Sequence, residues 1–348
     1  MVENVIPGYD FLALSLANPT TLAAQKFTLA NQTEVEICDT GIIRFQPAET
    51  TSVKDIVLSC GIHGNETAPI EICAELVSDV LQGKLILKHR LLVIFGNLPA
   101  MLVGKREIDE NLNRLFSGHH SLGDGVMNAE RHRAKKIEHY VSQFYHATAN
   151  TNSPRQRMLY DLHTAIRGSR FEKFAVYPFL HGKPWHKAQF EFLQACDVTT
   201  VLLMQTPAST FSYYASNTHS ADSFTIELGK VQPFGQNDME RFSKVRQTLR
   251  DLVSLAQLDT QPFIESDFAL YQVSRAINKQ TEAFQLHFAS DVENFTTYAL
   301  GTLLATDGDI EHRVEQEGEA IIFPNANVAI GQRAMLLVEP TTVSQHLV

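Results

Sequence analysis

The spacing His-x-x-Glu occurs twice in this chain, and histidine and glutamate are both common zinc ligands. The first copy is His63 and Glu66 in the segment CGIHGNETAP, and the second is His312 and Glu315 in DGDIEHRVEQEGE. In a chain with 14 histidines, roughly one such spacing is expected by chance. The second copy lies in an acidic stretch that an ordinary solvated loop explains. Only the context of the first copy favours metal binding.

That first copy follows directly after KDIVLSC, a compact apolar segment typical of a buried strand. Gly61 and Gly64 would let the backbone turn tightly at this point. In α/β sheets, ligands gather beyond the carboxyl ends of the strands. We therefore predict that the turn opens onto a binding site at one edge of the sheet.

Two further candidates end strands that should reach the same edge. His163 closes the predicted strand RMLYDLH, where Asp161, two residues earlier on the same face, is placed to orient the histidine ring. Glu227 lies near the end of FTIELG, where a carboxylate is costly unless it is exposed or functional. Taken singly, His163 is explained by a hydrogen bond at a strand end, and Glu227 by an ion pair at the rim.

Taken as a set, the four residues favour a catalytic zinc centre. Three of them would be protein ligands, namely His63, Glu66 and His163, and the fourth coordination position would stay open. Structural zinc sites are closed instead and usually contain several cysteines. The sequence thus predicts one zinc ion per chain.

A basic segment, GKREIDENLNRLFSG, covers residues 104–118 and has little periodic pattern. It contains Lys105, Arg106, Asn113 and Arg114, and guanidinium groups bind carboxylates through two parallel hydrogen bonds. The segment is therefore suited to an anionic substrate. A solvated loop that pairs with its own acidic residues explains the same composition equally well, so the residues alone leave both interpretations open.

The elements that would position these side chains follow from hydrophobic periodicity. Over residues 54–257, apolar strands alternate with helical patterns, which predicts an α/β domain with a mixed central sheet flanked by helices. Residues 26–46 alternate polar and apolar side chains and are predicted as short antiparallel strands of an N-terminal part, 1–50. We predict two domains: an α/β domain over 1–258 that carries the predicted zinc site, and a smaller β-rich C-terminal domain over 259–348.

Composition excludes several classes of function. The chain has 348 residues and a formal net charge of −10, which disfavours binding to nucleic acid, and an anionic substrate would need a local group of arginines. The four cysteines are scattered, which favours free thiols in a reducing compartment. No signal peptide pattern and no apolar run of ~20 residues is found. We therefore expect a cytoplasmic protein without a membrane partner.

Four ordered motifs make the chain similar to a known family. GIHGNETAPIE, REIDENLNRLFSG, DLHTAIRGS and TIELGKVQPFG resemble the succinylglutamate desuccinylase/aspartoacylase family, which belongs to the zinc carboxypeptidase-like hydrolases. The resemblance covers essentially the whole chain. It implies a phosphorylase/hydrolase-like α/β domain followed by a β-rich C-terminal domain.

The resemblance also implies roles for individual residues. Three of them match the zinc ligands of the family: His63, Glu66 and His163. Glu227 matches the catalytic glutamate, and Arg106 is similar to the arginine that polarises the scissile carbonyl. Asn113 and Arg114 match the pair that holds the amino-acid carboxylate, and Arg167 is a further candidate for substrate binding.

The activity implied by the resemblance is hydrolysis of N-succinyl-L-glutamate to succinate and L-glutamate, the last step of the arginine succinyltransferase route of arginine breakdown. The expected partner is a small anionic N-acyl amino acid. The nearest alternative is a hydrolase of another N-acyl amino acid, and a carboxypeptidase fits the β-rich tail less well. A non-catalytic metal- or ligand-binding module is disfavoured, because all three ligands and Glu227 are present.

Overall fold

The computed structural model describes residues 2–48, 53–123, 127–147 and 155–348. Within these ranges the α-helices are α1 (Val2–Val5), α2 (Phe11–Ala17), α3 (Thr67–Leu81), α4 (Leu98–Leu102), α5 (Ala129–His146), α6 (Lys187–Ala195), α7 (Phe211–His219) and α8 (Ser243–Ser254). The strands are β1 (Gln25–Thr28), β2 (Glu34–Asp39), β3 (Ile42–Gln46), β4 (Lys54–Cys60), β5 (Arg90–Phe95), β6 (Gln156–Ala165), β7 (Phe174–Tyr177), β8 (Thr200–Leu203), β9 (Asp222–Lys230), β10 (Ala269–Asn278), β11 (Gln285–Leu286), β12 (Thr296–Thr297), β13 (Leu303–Asp307), β14 (Ile310–Arg313), β15 (Ala320–Ile322) and β16 (Arg333–Pro340). None of these helices is long and apolar enough to cross a membrane.

A large mixed sheet runs through the molecule in the order β1-β2-β3-β5-β4-β6-β9-β7-β8-β10-β16-β15-β12. Its centre, β5-β4-β6-β9, is parallel, and almost every residue of these strands is buried, which explains their continuous apolar sequences. Strands β1, β2 and β3 add an antiparallel edge. The predicted fold class, a mixed sheet flanked by helices with a smaller β-rich C-terminal part, is confirmed.

Helices cover both faces of the sheet centre. Adjacent residues of a strand point to opposite faces. Leu58 of β4 lies in the core cluster formed with α3, α6 and α8, whereas Val57 lies in the cluster formed with α5 and α7. On the same side as α5 and α7, the β-rich part covers the sheet beyond β9. Phe174 of β7 and Leu202 of β8 lie there in one apolar cluster with Leu336 of β16.

The β-rich part is joined to the sheet edge to edge. Strand β10 runs parallel to β8 and antiparallel to β16, so hydrogen bonds cross the predicted boundary between residues 258 and 259. A separate three-stranded sheet, β11-β13-β14, packs against β10, β15 and β16 in one core cluster of this part of the chain. The boundary itself stays a prediction.

Most elements lie where the periodicity predicts them, but the short helices α1, α2, α4 and α7 were not predicted. Helix α7, in FSYYASNTH, is buried along most of its length, so it has no polar stripe from which a helical period could be recognised. The segment 104–118 is irregular, as expected, apart from a 3₁₀ turn at Leu112–Arg114, and a second 3₁₀ turn follows it at His119–Ser121. All four cysteines are free thiols.

Candidate metal centre

The turn after β4 depends on its two glycines. Gly61 has φ 64°, a left-handed conformation that favours glycine, and a Cβ there would lie 2.1 Å from Met101 Cε. At Gly64 a Cβ would lie 2.3 Å from the backbone carbon of Ala100. The glycines therefore allow the turn to pack directly against α4. This packing places His63 and Glu66 beyond the carboxyl end of β4.

Glu66 is the N-cap residue of α3, yet its carboxylate makes no capping hydrogen bond. Its Oε1 lies 2.9 Å from His63 Nδ1 and accepts from Arg106 Nη1 at 2.6 Å. Its Oε2 accepts from His163 Nδ1 at 2.8 Å and from the Thr164 amide at 3.1 Å. Because an N-cap carboxylate ordinarily bonds its own helix, this orientation indicates a different task. The carboxylate lies between two imidazole rings.

The far nitrogens of both rings are held by acceptors. His63 Nε2 donates to Asn111 Oδ1 at 3.0 Å, and His163 Nε2 donates to Asp161 Oδ2 at 2.8 Å. The Oδ1 of Asn111 also accepts from a backbone amide, which orients that side chain. Both Nε2 atoms therefore carry hydrogen, and both Nδ1 atoms face Glu66. Such outer contacts orient histidine ligands in metal sites.

The electrostatics of His63 and Glu66 favour binding of a cation. Burial, helped by the positive charge of Arg106, lowers the pKa of His63 to about 4, so the ring is neutral and its Nδ1 carries a lone pair. That buried Nδ1 has no hydrogen-bond partner among the described residues, although Glu66 Oε1 is 2.9 Å away. Two electron-rich atoms thus face each other in a low-dielectric interior, an arrangement that a bound cation stabilises.

The pKa of His163 is shifted in the opposite direction. Burial opposes its charged form, but Asp161 and Glu66 outweigh burial and raise the pKa of His163 well above its usual range. Burial likewise opposes ionisation of Glu66, but the two histidines hold the pKa of Glu66 well below normal. A metal ion bound here would displace the proton from His163 Nδ1, because metal ligands must be deprotonated.

Among the residues that the structure describes, His63, Glu66 and His163 form the one group whose ligand atoms could hold a metal ion. These atoms lie within 4.8 Å of one another, and all three residues are buried. The other His-x-x-Glu copy differs. His312 lies in β14, and Glu315 forms an ion pair with Arg275, as a surface carboxylate does.

Glu227 lies beside the cluster on the neighbouring strand. It is the register partner of His163 in the parallel pair β6–β9, so both side chains leave the same face of the sheet. Its Oε2 is buried and has no hydrogen-bond partner within the described ranges. Burial, opposed by His163 and reinforced by Glu66, raises the pKa of Glu227 to about 7. A carboxylate with a pKa near neutrality is suited to accept and return a proton.

The segment 104–118 lies over the same edge. Asn113 Oδ1 accepts from the Phe211 amide at 2.9 Å, which ties this segment to the start of α7, and Arg114 Nη1 donates to the Asn113 carbonyl at 2.8 Å. Burial, then the charges of Arg333 and Arg106, lower the pKa of Arg114 to about 9. The guanidinium groups of Arg106 and Arg114 therefore lie at the site, and among the described residues neither forms an ion pair with an acidic residue of its own segment.

Arg167 has a different environment. Its Nη1 donates to the backbone carbonyl of Ser290, which belongs to the β-rich part. This contact connects the segment after β6 to that part of the chain. The role of Arg167 in substrate binding stays a prediction.

Three residues that contribute to the site were not identified from the sequence. Asn111 lies inside a recognised motif, so its position was a usable signal. Glu130 is buried in the first turn of α5, and its Oε1 accepts from the Ile108 amide at 2.7 Å, which fixes the basic segment. Arg333, whose charge lowers the pKa of Arg114, lies more than two hundred residues after it and carries no local signal at all.

Comparisons with known proteins agree with this architecture. Residues 52–253 match the family described as the Succinylglutamate desuccinylase/Aspartoacylase catalytic domain, and residues 266–341 match the AstE/AspA barrel-sandwich hybrid domain. A protein of Shewanella frigidimarina named succinylglutamate desuccinylase is 51% identical over 341 residues, 98% of each chain.

Two crystal structures named as succinylglutamate desuccinylases superpose closely. The protein of Chromobacterium violaceum is 38% identical, with a TM-score of 0.83 over 96% of this chain and 98% of the other. The protein of Vibrio parahaemolyticus is 34% identical, with a TM-score of 0.84 over 95% of this chain and 94% of the other. The chain therefore belongs to the succinylglutamate desuccinylase/aspartoacylase family.

Proposed function

We propose that this protein is a zinc-dependent amidohydrolase that cleaves N-succinyl-L-glutamate to succinate and L-glutamate. The observation that carries the chemistry is the buried pair of electron-rich atoms, His63 Nδ1 and Glu66 Oε1, 2.9 Å apart beside Glu227. Two histidines and one carboxylate, with a further position open, are a common catalytic zinc set. The names of relatives about half identical to this chain support the substrate.

The residues divide the work of amide hydrolysis. When bound, zinc would lower the pKa of a water molecule and polarise the amide oxygen. Glu227 accepts a proton from the attacking water and delivers it to the nitrogen of the leaving L-glutamate as the carbon–nitrogen bond breaks. Arg106, held against Glu66 at 2.6 Å, adds positive charge where the oxyanion develops.

Substrate binding falls to the basic segment. With its Oδ1 occupied by the Phe211 amide, Asn113 keeps its Nδ2 as a donor, and Arg114 lies next to it in the chain. Together they would hold the α-carboxylate of the glutamate moiety. The substrate is thus a small anionic N-acyl amino acid, and the reaction would occupy a step of arginine breakdown. The cytoplasmic location stays a prediction from composition.

A substrate panel tests this proposal. We expect the zinc-loaded protein to hydrolyse N-succinyl-L-glutamate with a kcat/KM well above the values for N-acetyl-L-glutamate, N-succinyl-L-aspartate and N-acetyl-L-aspartate. Release of succinate and of free amine are both measured, and the Glu227→Gln variant is the matched control for contaminating hydrolases. A preference for N-acetyl-L-aspartate would instead support the aspartoacylase-like alternative.

A further inference from the structure

The β-rich part covers the sheet face that carries the metal centre. Phe174 of β7 is the register partner of Glu227 in an antiparallel pair, so the two side chains share one face. The ring of Phe174 packs against Phe295 at 5.2 Å and Phe323 at 5.8 Å between centroids. Aromatic residues of the β-rich part therefore lie directly beside the strand of the catalytic glutamate.

Polar contacts fix this arrangement. The Asn294 amide donates to the Gly168 carbonyl at 3.0 Å, and Asn294 Oδ1 accepts from the Phe323 amide at 2.8 Å. Arg167 adds its bond to the Ser290 carbonyl nearby. Phe323 is thereby anchored to the segment that follows His163. A side chain that packs against Phe323 is therefore held in place relative to the metal centre.

Arg333 is such a side chain. It begins β16, and its guanidinium carbon lies 5.9 Å from the centroid of the Phe323 ring. The other two arginines of residues 259–348, Arg275 and Arg313, both form ion pairs with glutamates. The half-buried side chain of Arg333 has no ion pair or hydrogen bond to any residue in the described part of the chain. Apart from the Phe323 ring, its charge therefore has no partner among the described residues.

That charge acts on Arg114. After burial, Arg333 is the main reason that the pKa of Arg114 is lowered, ahead of Arg106, with Glu107 opposing weakly. Glu107 forms no ion pair with either arginine in the described residues, and burial raises its own pKa. Two partly desolvated guanidinium groups whose charges act on each other are costly unless an anion compensates them. A carboxylate-bearing ligand is such an anion.

We propose that Arg333 is a specificity-determining residue that, next to Arg114, binds a substrate carboxylate remote from the scissile amide. The inference rests on the proposed function, since N-succinyl-L-glutamate has two such carboxylates besides the α-carboxylate. One is the side-chain carboxylate of the glutamate moiety, and the other is the terminal carboxylate of the succinyl group. A guanidinium binds either one through two parallel hydrogen bonds. The β-rich part thus contributes a side chain to the site.

The test compares Arg333→Gln with the parent on three substrates: N-succinyl-L-glutamate, N-succinyl-L-glutamine, which replaces the side-chain carboxylate by a neutral amide, and N-succinamoyl-L-glutamate, which neutralises the succinyl terminus. For N-succinyl-L-glutamate we expect kcat/KM to fall roughly 10- to 100-fold, mostly through KM, as for loss of a charged hydrogen bond. One of the two neutral analogues lacks the carboxylate that Arg333 binds. The parent and Arg333→Gln should hydrolyse that analogue equally well. This analogue identifies which carboxylate is bound.

Arg313→Gln is the matched control, because it removes an arginine of the same β-rich part that is paired with Glu311. It should leave all three kcat/KM values unchanged, whereas Arg333→Lys should recover part of the loss. Melting temperatures verify that the variants are folded. An equal loss on all three substrates, or no loss on any, would overturn the proposal.

A binding measurement keeps the inference separate from the proposed function. The Kd values of succinate and L-glutamate for the zinc-loaded protein do not depend on turnover. We expect Arg333→Gln to weaken one of them by the same factor as kcat/KM. If both stayed unchanged, the role of Arg333 would be refuted. If the parent bound them through Arg333 but did not hydrolyse N-succinyl-L-glutamate, only the proposed reaction would fail.

Discussion

Replacing Asp161 by Asn tests whether the outer contacts of the histidines prepare the metal centre. Asp161 Oδ2 accepts from His163 Nε2 at 2.8 Å, and the side chains are 0% and 2% exposed respectively. An amide removes the negative charge, and its Nδ2 can donate to Nε2, which favours the tautomer with hydrogen on Nδ1. Nδ1 is the atom that faces Glu66, so the variant should bind zinc more weakly.

The expected size follows from burial. Loss of such an outer contact lowers metal affinity about 10- to 100-fold, or about 1.4–2.7 kcal/mol. Because both partners are shielded from water, we expect the upper part of this range. Competition with a chromophoric chelator measures the zinc Kd, and activity should return at saturating zinc.

A matched control exists on a neighbouring strand. Asp222 at the start of β9 bonds His186 Nδ1 at 2.6 Å, but here the histidine side chain is 51% exposed. Asp222→Asn makes the same chemical change away from the metal centre and should leave the zinc Kd unchanged. If Asp161→Asn bound zinc like the parent, or if both variants lost affinity equally, the reasoning about tautomer control would be refuted.

Three further predictions concern the chemistry itself. Glu227→Gln should keep zinc binding but lose about 10²- to 10⁴-fold in kcat; a near-normal kcat would assign the proton transfer to another group. Chelation should abolish hydrolysis while circular dichroism shows the fold retained, and metal analysis of active protein without bound zinc would contradict the proposed cofactor. Arg114→Ala should mainly raise KM, since its contact is present before and during reaction, whereas Arg106→Ala should mainly lower kcat. Identical kinetics in both variants and the parent would indicate that the segment is only a solvated loop.

The fold was predictable where a segment shows one clear pattern, either a continuous apolar run or apolar residues at helical spacing. Strands β4, β6 and β9 are buried on both faces and appear as apolar runs, and α3 has apolar residues at helical spacing. Helix α7 was missed because its neighbours bury it on several sides. Its sequence, FSYYASNTH, is neither a continuous apolar run nor a sustained pattern of apolar residues at helical spacing, so it gives neither signal.

The candidate site was predictable to a similar extent. His63, Glu66, His163 and Glu227 follow strands whose carboxyl ends must meet if the sheet is parallel, which made their proximity an inference from topology. The basic segment remained ambiguous, since its composition is equally that of a solvated loop. Only the described structure gives the contact of Arg106 with Glu66 and the contact of Asn113 with α7.

By itself, then, the amino-acid sequence determined the ligand types, the strand ends that carry them and the family motifs, because these depend on short segments of chain. Tertiary structure decided which nitrogen of each histidine faces Glu66, since Asn111 and Asp161 set the hydrogen positions. It also decided the approach of Arg333 to the Phe323 ring, from which its charge lowers the pKa of Arg114. Such an approach depends on how the β-rich part packs over β7 and β9. A local sequence pattern indicates that a face is buried, but it does not indicate which residues from elsewhere in the chain cover that face.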